Sequence, residues 1–202
     1  GDEVSTDIAR APIGHYNVFP VQVRPEEPRG GAPHFLDLDT PSFLREARVW
    51  APDAVIQVNH PRSPVPTGAF NIVGLDPATG QAAHGAFATS FDAIEVWNGR
   101  WQRSVDEVMT DWFALLRAGA RITATGNSDS HAIVTQEAGF PRTCVAVDHD
   151  APGAYTAADV VRDVCGRPAV LLALGSWLTG QVPALLGGLV LLLPSDTPAE
   201  KK

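Results

Sequence analysis

The sequence predicts an α/β fold whose strands run mostly parallel, and two observations carry that expectation. First, short apolar runs alternate with helical stripes over residues 1–165, in the order strand, helix, strand, loop, strand, helix, strand, strand, helix. Second, three separate strands end in polar groups: His60 after VIQVN, Asn98 after IEVW, and Asp129 with His131 after ITATGNS. A parallel sheet or barrel gathers the carboxyl ends of its strands, so residues far apart in the chain converge there. The chain has 202 residues, 45% hydrophobic and 19% charged, enough for one ordinary domain with its own core. No internal repeat and no domain boundary is visible.

Each element has its own signal. Asn17–Val23 reads as a strand broken by Pro20, and residues 24–34 as a loop dense in Pro and Gly. Thr40-Pro41 starts a helix, a capping side chain followed by Pro, that runs to about Val49 with Phe43, Leu44 and Ala47 on one face. Val55–Val58 is a short strand leading into Asn59-His60-Pro61-Arg62. Residues 63–90 are polar and loop-rich, as an insertion over a site would be. Ala93–Trp97 is a strand ending at Asn98-Gly99. Ser104 and Glu107 form a capping box for the clearest helix, whose stripe is Val105, Val108, Met109, Trp112, Phe113 and Leu116. Gly119 closes it. Ile122–Ala124 and Thr143–Val147 are strands, and Thr156 to Cys165 is a helix stopped by Gly166.

Composition excludes some partners. The net charge is -8 and the pI about 5.1, which argues against non-specific binding to nucleic acid or to an anionic membrane. A small anionic substrate is still admitted where a bound metal attracts it. Cys144 and Cys165 form no CxxC pair and read as two buried thiols, with a disulfide between them left open. No signal peptide opens the chain, and its first residue is Gly1, not Met, so an upstream segment is expected to have been removed. Two locations follow: cytoplasmic, or periplasmic or secreted if that segment was a signal peptide. Residues 168–195 carry no charge and are long enough for a membrane span. Gly175, Gly180, Gln181, Pro183, Gly187 and Gly188 interrupt them, which favours a buried hairpin or strand pair. Membrane contact through this segment, flanked by Lys201 and Lys202, stays a second reading.

The stretch RITATGNSDSH, residues 121–131, is the richest in chemistry. In extended chain, residues i and i+2 share a face, so Asp129 and His131 together can hold one divalent ion. A lone histidine on an apolar strand is more often a satisfied core residue, but three strand ends repeat the pattern. Near the start stand Glu3, by itself a terminal surface residue, and His15, by itself a loop residue.

The segments GDEVST, GHYNVFP, VNHPR, FDAIEVWN, DWFALLRAG and TGNSDSH with GFPRT resemble the polymerase and histidinol phosphatase (PHP) superfamily, in particular its CehA/McbA-type metallohydrolases. The resemblance covers roughly residues 1–165. It implies a distorted, mostly parallel β/α barrel with two or three divalent metals at its mouth. Residue by residue, it implies Glu3, His15, His60, Asp129 and His131 as metal ligands. Asn98 would stand at the rim and Glu95 in a structural role. Arg62 would meet an anionic or carbonyl group of the substrate, against the equal reading of a surface ion pair. His60, His131, Arg62 and Asn98 are thus the candidates for catalysis, with a histidine protonating the leaving group.

The chain departs from that family in lacking its initial His-x-His strand and the Asp and Asp-His motifs that follow. His34, His84 and His149 do not match them. The barrel is therefore expected to be incomplete on its amino-terminal side, through loss of that part or through degeneration. Residues 1–167 would form the carboxyl-terminal part of such a barrel and 168–202 an apolar segment. The implied function is a metal-dependent hydrolase acting on a small phosphoester, ester or carbamate, weakly active with this ligand set. The alternative is a partial barrel serving as a non-enzymatic binding or interaction module, whose exposed edges would promote self-association. Mixed His, Asp and Glu ligation without Cys suits Zn, Mn or Fe.

Overall fold

The computed structural model describes residues 1–6, 10, 12–63, 67–99, 102–148, 151–166 and 171–172. It corrects the expected barrel: the main sheet is open, mixed and five-stranded, in the order β1-β2-β3-β4-β5. The strands are β1 (Asp2–Ser5), β2 (His15–Phe19), β3 (Val55–Asn59), β4 (Ala93–Asn98) and β5 (Thr123–Asn127). β3, β4 and β5 are parallel, as expected. β1 and β2 are antiparallel to each other, and β2 is antiparallel to β3. The reason for the first reversal is length. Residues 6–14 are too few for a parallel crossover, which takes a dozen or more, so the chain turns back on itself. Among the described residues β1 and β5 stand at opposite ends of the strand order and do not pair, so the sheet stays open.

β1 had no sequence signal. Only Val4 of its residues is buried, as befits an edge strand. β2 ends at Phe19, short of the strand expected to reach Val23.

One face of the sheet is apolar except for Asp2 on the edge strand. Val4, Tyr16, Val18, Ile56, Val58, Ile94, Val96 and Ala124 form a single core with the helices α1 (Thr40–Trp50), α2 (Ala69–Val73) and α3 (Gln102–Arg117). Phe43, Leu44 and Ala47 of α1 are buried as expected. The cap of α1 lies one residue earlier than expected: the Asp39 carboxylate accepts from Ser42 N at 2.8 Å. α3 buries Val108, Trp112 and Leu115. It starts at Gln102, so Ser104 lies inside it and is not its cap. Gly119 (φ +93°) ends it, with Gly119 N donating to Leu116 O and Ala120 N to Leu115 O. Within the stretch expected to be an insertion over the site, 63–90, the segment 69–75 packs into the core instead. Ala69, Phe70, Val73 and Leu75 are core residues, and Phe70 is fully buried.

The other face changes character along the strands. At one end Phe19, Val55 and Ala93 pack against Val160, Val161 and Val164 of α4 (Ala157–Gly166). Thr123 Oγ1 donates to Val164 O there at 2.6 Å. Two residues further along, the same face turns polar, with Asn17, Gln57, Glu95 and Thr125. That polar end is the floor of the candidate site.

The strand expected over Thr143–Val147 is reduced to β6 (Thr143–Cys144), which pairs with β7 (Leu171–Leu172). Of the apolar stretch 168–195 only residues 171 and 172 are described. Its remainder lies outside the described residues, as do His149, Lys201 and Lys202. Among the described residues no helix is long and apolar enough to cross a membrane. Cys144 and Cys165 are free and exposed, not buried and not bridged.

Candidate functional site

The β1–β2–β3 register assembles the first part of the site. Glu3 lies opposite Asn17, and His15 lies opposite both Ser5 and Asn59. On a pleated surface Glu3 and His15 are therefore diagonal neighbours on one face. The Glu3 carboxylate stands 3.5 Å from His15 Nδ1. The His15 hydrogen bond holds the Glu3 carboxyl below the usual carboxylate range, against the opposing effect of burial. His60 follows β3 directly, with a backbone φ of +27°. Its Nε2 lies 3.1 Å from His15 Nδ1, and the two rings meet edge to face.

Glu95 fixes His60. Its side chain is 3% exposed, and its Oε2 accepts the backbone N–H of His60 at 2.6 Å. The same oxygen lies 3.2 Å from His60 Nδ1 and receives Asn98 Nδ2 at 3.1 Å. Asn98 reaches it because β4 carries a bulge. Glu95 pairs with Thr125 but Trp97 with Gly126, so Val96 is the extra residue and Asn98 returns to the face of Glu95. Asn98 Nδ2 also donates to Asp129 Oδ2 at 3.1 Å, which places Asp129 4.0 Å from His60 Nδ1.

Asp129 and His131 do not share the face of a strand. β5 ends at Asn127, and Asp129 has φ +46°. The turn sends Asp129 into the site and His131 outward, with 74% of its side chain exposed. His131 Nδ1 bonds the carbonyl of Asp129 at 2.7 Å, and its backbone N–H donates to Gln136 Oε1. Non-glycine residues with left-handed backbone are costly, about 1–3 kcal/mol each, and concentrate at functional sites. Both His60 and Asp129 are of this kind.

Arg62 lies apart from this cluster. Its Nε and one terminal nitrogen donate to the two Asp111 oxygens at 2.7 and 2.8 Å, and the same terminal nitrogen donates to Leu75 O at 2.6 Å. Asp111 is fully buried on α3. Burial pushes its carboxyl up, and the guanidinium opposes that push. The ion pair expected for Arg62 as one of two readings is thus present, but it is internal and not on the surface.

A cleft of about 380 Å³ opens over the site, lined by Glu3, Asn59, His60 and Glu95 on one side and Asn127 and Arg142 on the other. A second of about 230 Å³ adjoins it past Asn98 and Arg62. Asn127 Nδ2 is buried without a hydrogen-bond partner, a state that costs roughly 1–3 kcal/mol.

Among the described residues, Glu3, His15 and His60 form the group able to hold a metal ion, each offering a ligand atom within 4.8 Å of the others. The donor set fits. Two imidazoles and a carboxylate suit zinc or a neighbouring divalent ion, and ligand bonds of about 2.0–2.2 Å put donors on one ion roughly 3–3.5 Å apart. The 3.1 Å and 3.5 Å separations found here match that spacing. Asp129 and His131 stand outside the group.

Asp111, Asn127 and Arg142 were not singled out for the site from the sequence, and Glu95 was given only a structural role. Glu95 had a signal, since a carboxylate inside the apolar run AIEVW is buried and must be satisfied. Asp111 had a similar one beside Trp112 in the α3 stripe. No family model, no curated protein and no solved structure matches the chain.

Proposed function

We propose that the chain is a metal-dependent hydrolase of the PHP kind, acting on a small phosphoester, ester or carbamate. The observation that carries this reading is the two-sided anchoring of His60. Nδ1 is turned to the buried Glu95 carboxylate and Nε2 to His15 and Glu3. A ligating histidine almost always gives its other ring nitrogen to a carboxylate, carbonyl or water, which fixes the tautomer and raises basicity. The sequence resemblance supports the same chemistry through Glu3, His15 and His60.

Glu3, His15 and His60 would hold the ion. When bound, it supplies Lewis acidity toward the reacting carbonyl or phosphoryl oxygen and makes water acidic enough to attack near neutral pH. Asn98 ties Glu95 to Asp129 and keeps both carboxylates pointed at the cleft. Asp129 borders both clefts, with one carboxylate oxygen 4.0 Å from His60 Nδ1. His131, exposed beyond the turn, lies 3.6 Å from Asp129 Oδ1 and would serve as the acid for a leaving group that reaches it. Arg62 does not take part; it anchors the segment after His60 to α3. With three ligands from this chain, binding is expected to be weak. The test is hydrolysis of p-nitrophenyl phosphate and p-nitrophenyl acetate by zinc- or manganese-loaded protein beside His60→Ala. Turnover lost in the variant supports the reading, and equal background rates contradict it.

A further inference from the structure

One wall of the main cleft has no part in the metal group or its supporting carboxylates. Thr143 Oγ1 donates to Gly126 O at 3.1 Å and accepts from Gly126 N at 3.0 Å, which clasps the end of β5 to the start of β6. The residues flanking this clasp, Asn127 and Arg142, both line the cleft. Arg142 is exposed and makes no ion pair or hydrogen bond among the described residues. Yet three carboxylates line the same cleft. Glu3 is engaged by His15, Glu95 by His60 and Asn98, and Asp129 by Asn98. None of them neutralises Arg142. Beside it, Asn127 also lines the cleft, and its amide nitrogen has no hydrogen-bond partner among the described residues.

We propose that Arg142 and Asn127 form an oxyanion subsite, which takes a carboxylate or phosphate group of the substrate remote from the bond that is cleaved. The guanidinium offers a planar fork matched to two oxygens of such a group, and the Asn127 amide adds a third donor. The carboxylates around His60 repel an anion from the deep end of the cleft, which confines it to the Arg142 rim. The reacting bond then lies toward Glu3, His15 and His60. The subsite names the substrate as a hydrolysable molecule bearing a second, fixed negative charge; in that part it rests on the hydrolase reading.

The test is titration of chelator-treated protein with inorganic phosphate and, separately, with succinate. Binding is followed by isothermal calorimetry or by amide NMR shifts of residues 126–128 and 142–143, at constant ionic strength. Arg142→Gln is expected to weaken at least one of the two anions by about tenfold, and Arg142→Lys by less, because lysine keeps the charge without the fork. Whichever anion responds identifies the group. Arg142 is exposed, so its variants leave the fold intact; Asn127→Ser is the second variant, expected to weaken the same anion. Anion binding that is absent, or equal in wild type and Arg142→Gln for both probes, overturns the subsite. Zinc titration of the same variants separates the two claims. Zinc binding with Arg142-independent anion binding defeats the subsite alone. Arg142-dependent anion binding without zinc binding upholds the subsite and defeats the metal reading.

Discussion

One oxygen of Glu95 holds both the main chain and the ring of His60, accepting its backbone N–H at 2.6 Å and lying 3.2 Å from Nδ1. The left-handed φ of His60 is sustained at this point, so Glu95 fixes where β3 ends and which way the imidazole faces. Glu95→Ala leaves the half-buried His60 N–H without its acceptor. The expected loss is about 2–3 kcal/mol in urea unfolding, with metal affinity falling about 10–100-fold. Unchanged unfolding and unchanged zinc affinity would show that Glu95 does not organise the site.

The Arg62–Asp111 pair gives a second expectation. Arg62→Ala strands a buried carboxylate, and removing one partner of such a pair costs about 3–5 kcal/mol. The double change Arg62→Met with Asp111→Leu should recover most of that loss, because neither charge is then buried alone. A melting temperature for Arg62→Ala equal to wild type would place the guanidinium in solvent instead.

Gly14 precedes His15 with φ +99°, and a Cβ there would lie 2.7 Å from Ala69 Cβ. Gly14→Ala therefore meets α2 and adopts a backbone that L residues avoid, at a cost of roughly 1–3 kcal/mol. Ala69→Gly should restore only part of the stability, since it removes the Cβ contact but leaves the 2.9 Å approaches to the Ala69 backbone and the torsion. Full restoration would assign the whole cost to packing.

Acid should destabilise the fold through three loop and cap carboxylates far from the site. Hydrogen bonds hold Asp39 (from Ser42), Asp76 (from Ala78, then Thr79) and Asp159 (from Thr156) below the usual aspartate range. A lowered folded pKa means that stability is fully present above the unfolded value and is lost as pH falls through the folded one. Melting temperature should thus be flat in these groups above about pH 5 and fall below about pH 4. Asp39→Asn keeps a capping acceptor and should flatten part of the fall; an unchanged profile would remove Asp39 from it.

Much of the parallel half was legible because its signals are local. VIQVN and AIEVW are buried apolar runs, the α3 stripe has helical spacing, and Gly119 ends that helix with the bonds a glycine there permits. What was missed depends on partners. β1 is a strand only because β2 offers it a ladder. Asn98 faces Glu95 only because β4 bulges at Val96, which no spacing rule reveals. Asp129 and His131 were expected to share a strand face; the turn at Asp129 parts them, though Asp129 still enters the site. The expected barrel failed for a global reason, since closure depends on strand number and connection length. Glu3, His15 and His60 converge through the antiparallel β1–β2–β3 register, not through the parallel strand ends that first suggested a site.

The most direct measurement is calorimetric titration of chelator-treated protein with zinc and with manganese, beside His60→Ala and His15→Ala. Weak, saturable binding of about one ion per chain is expected, reduced at least about tenfold in either variant. No saturable binding, or isotherms unchanged by both substitutions, would contradict a metal centre built on Glu3, His15 and His60.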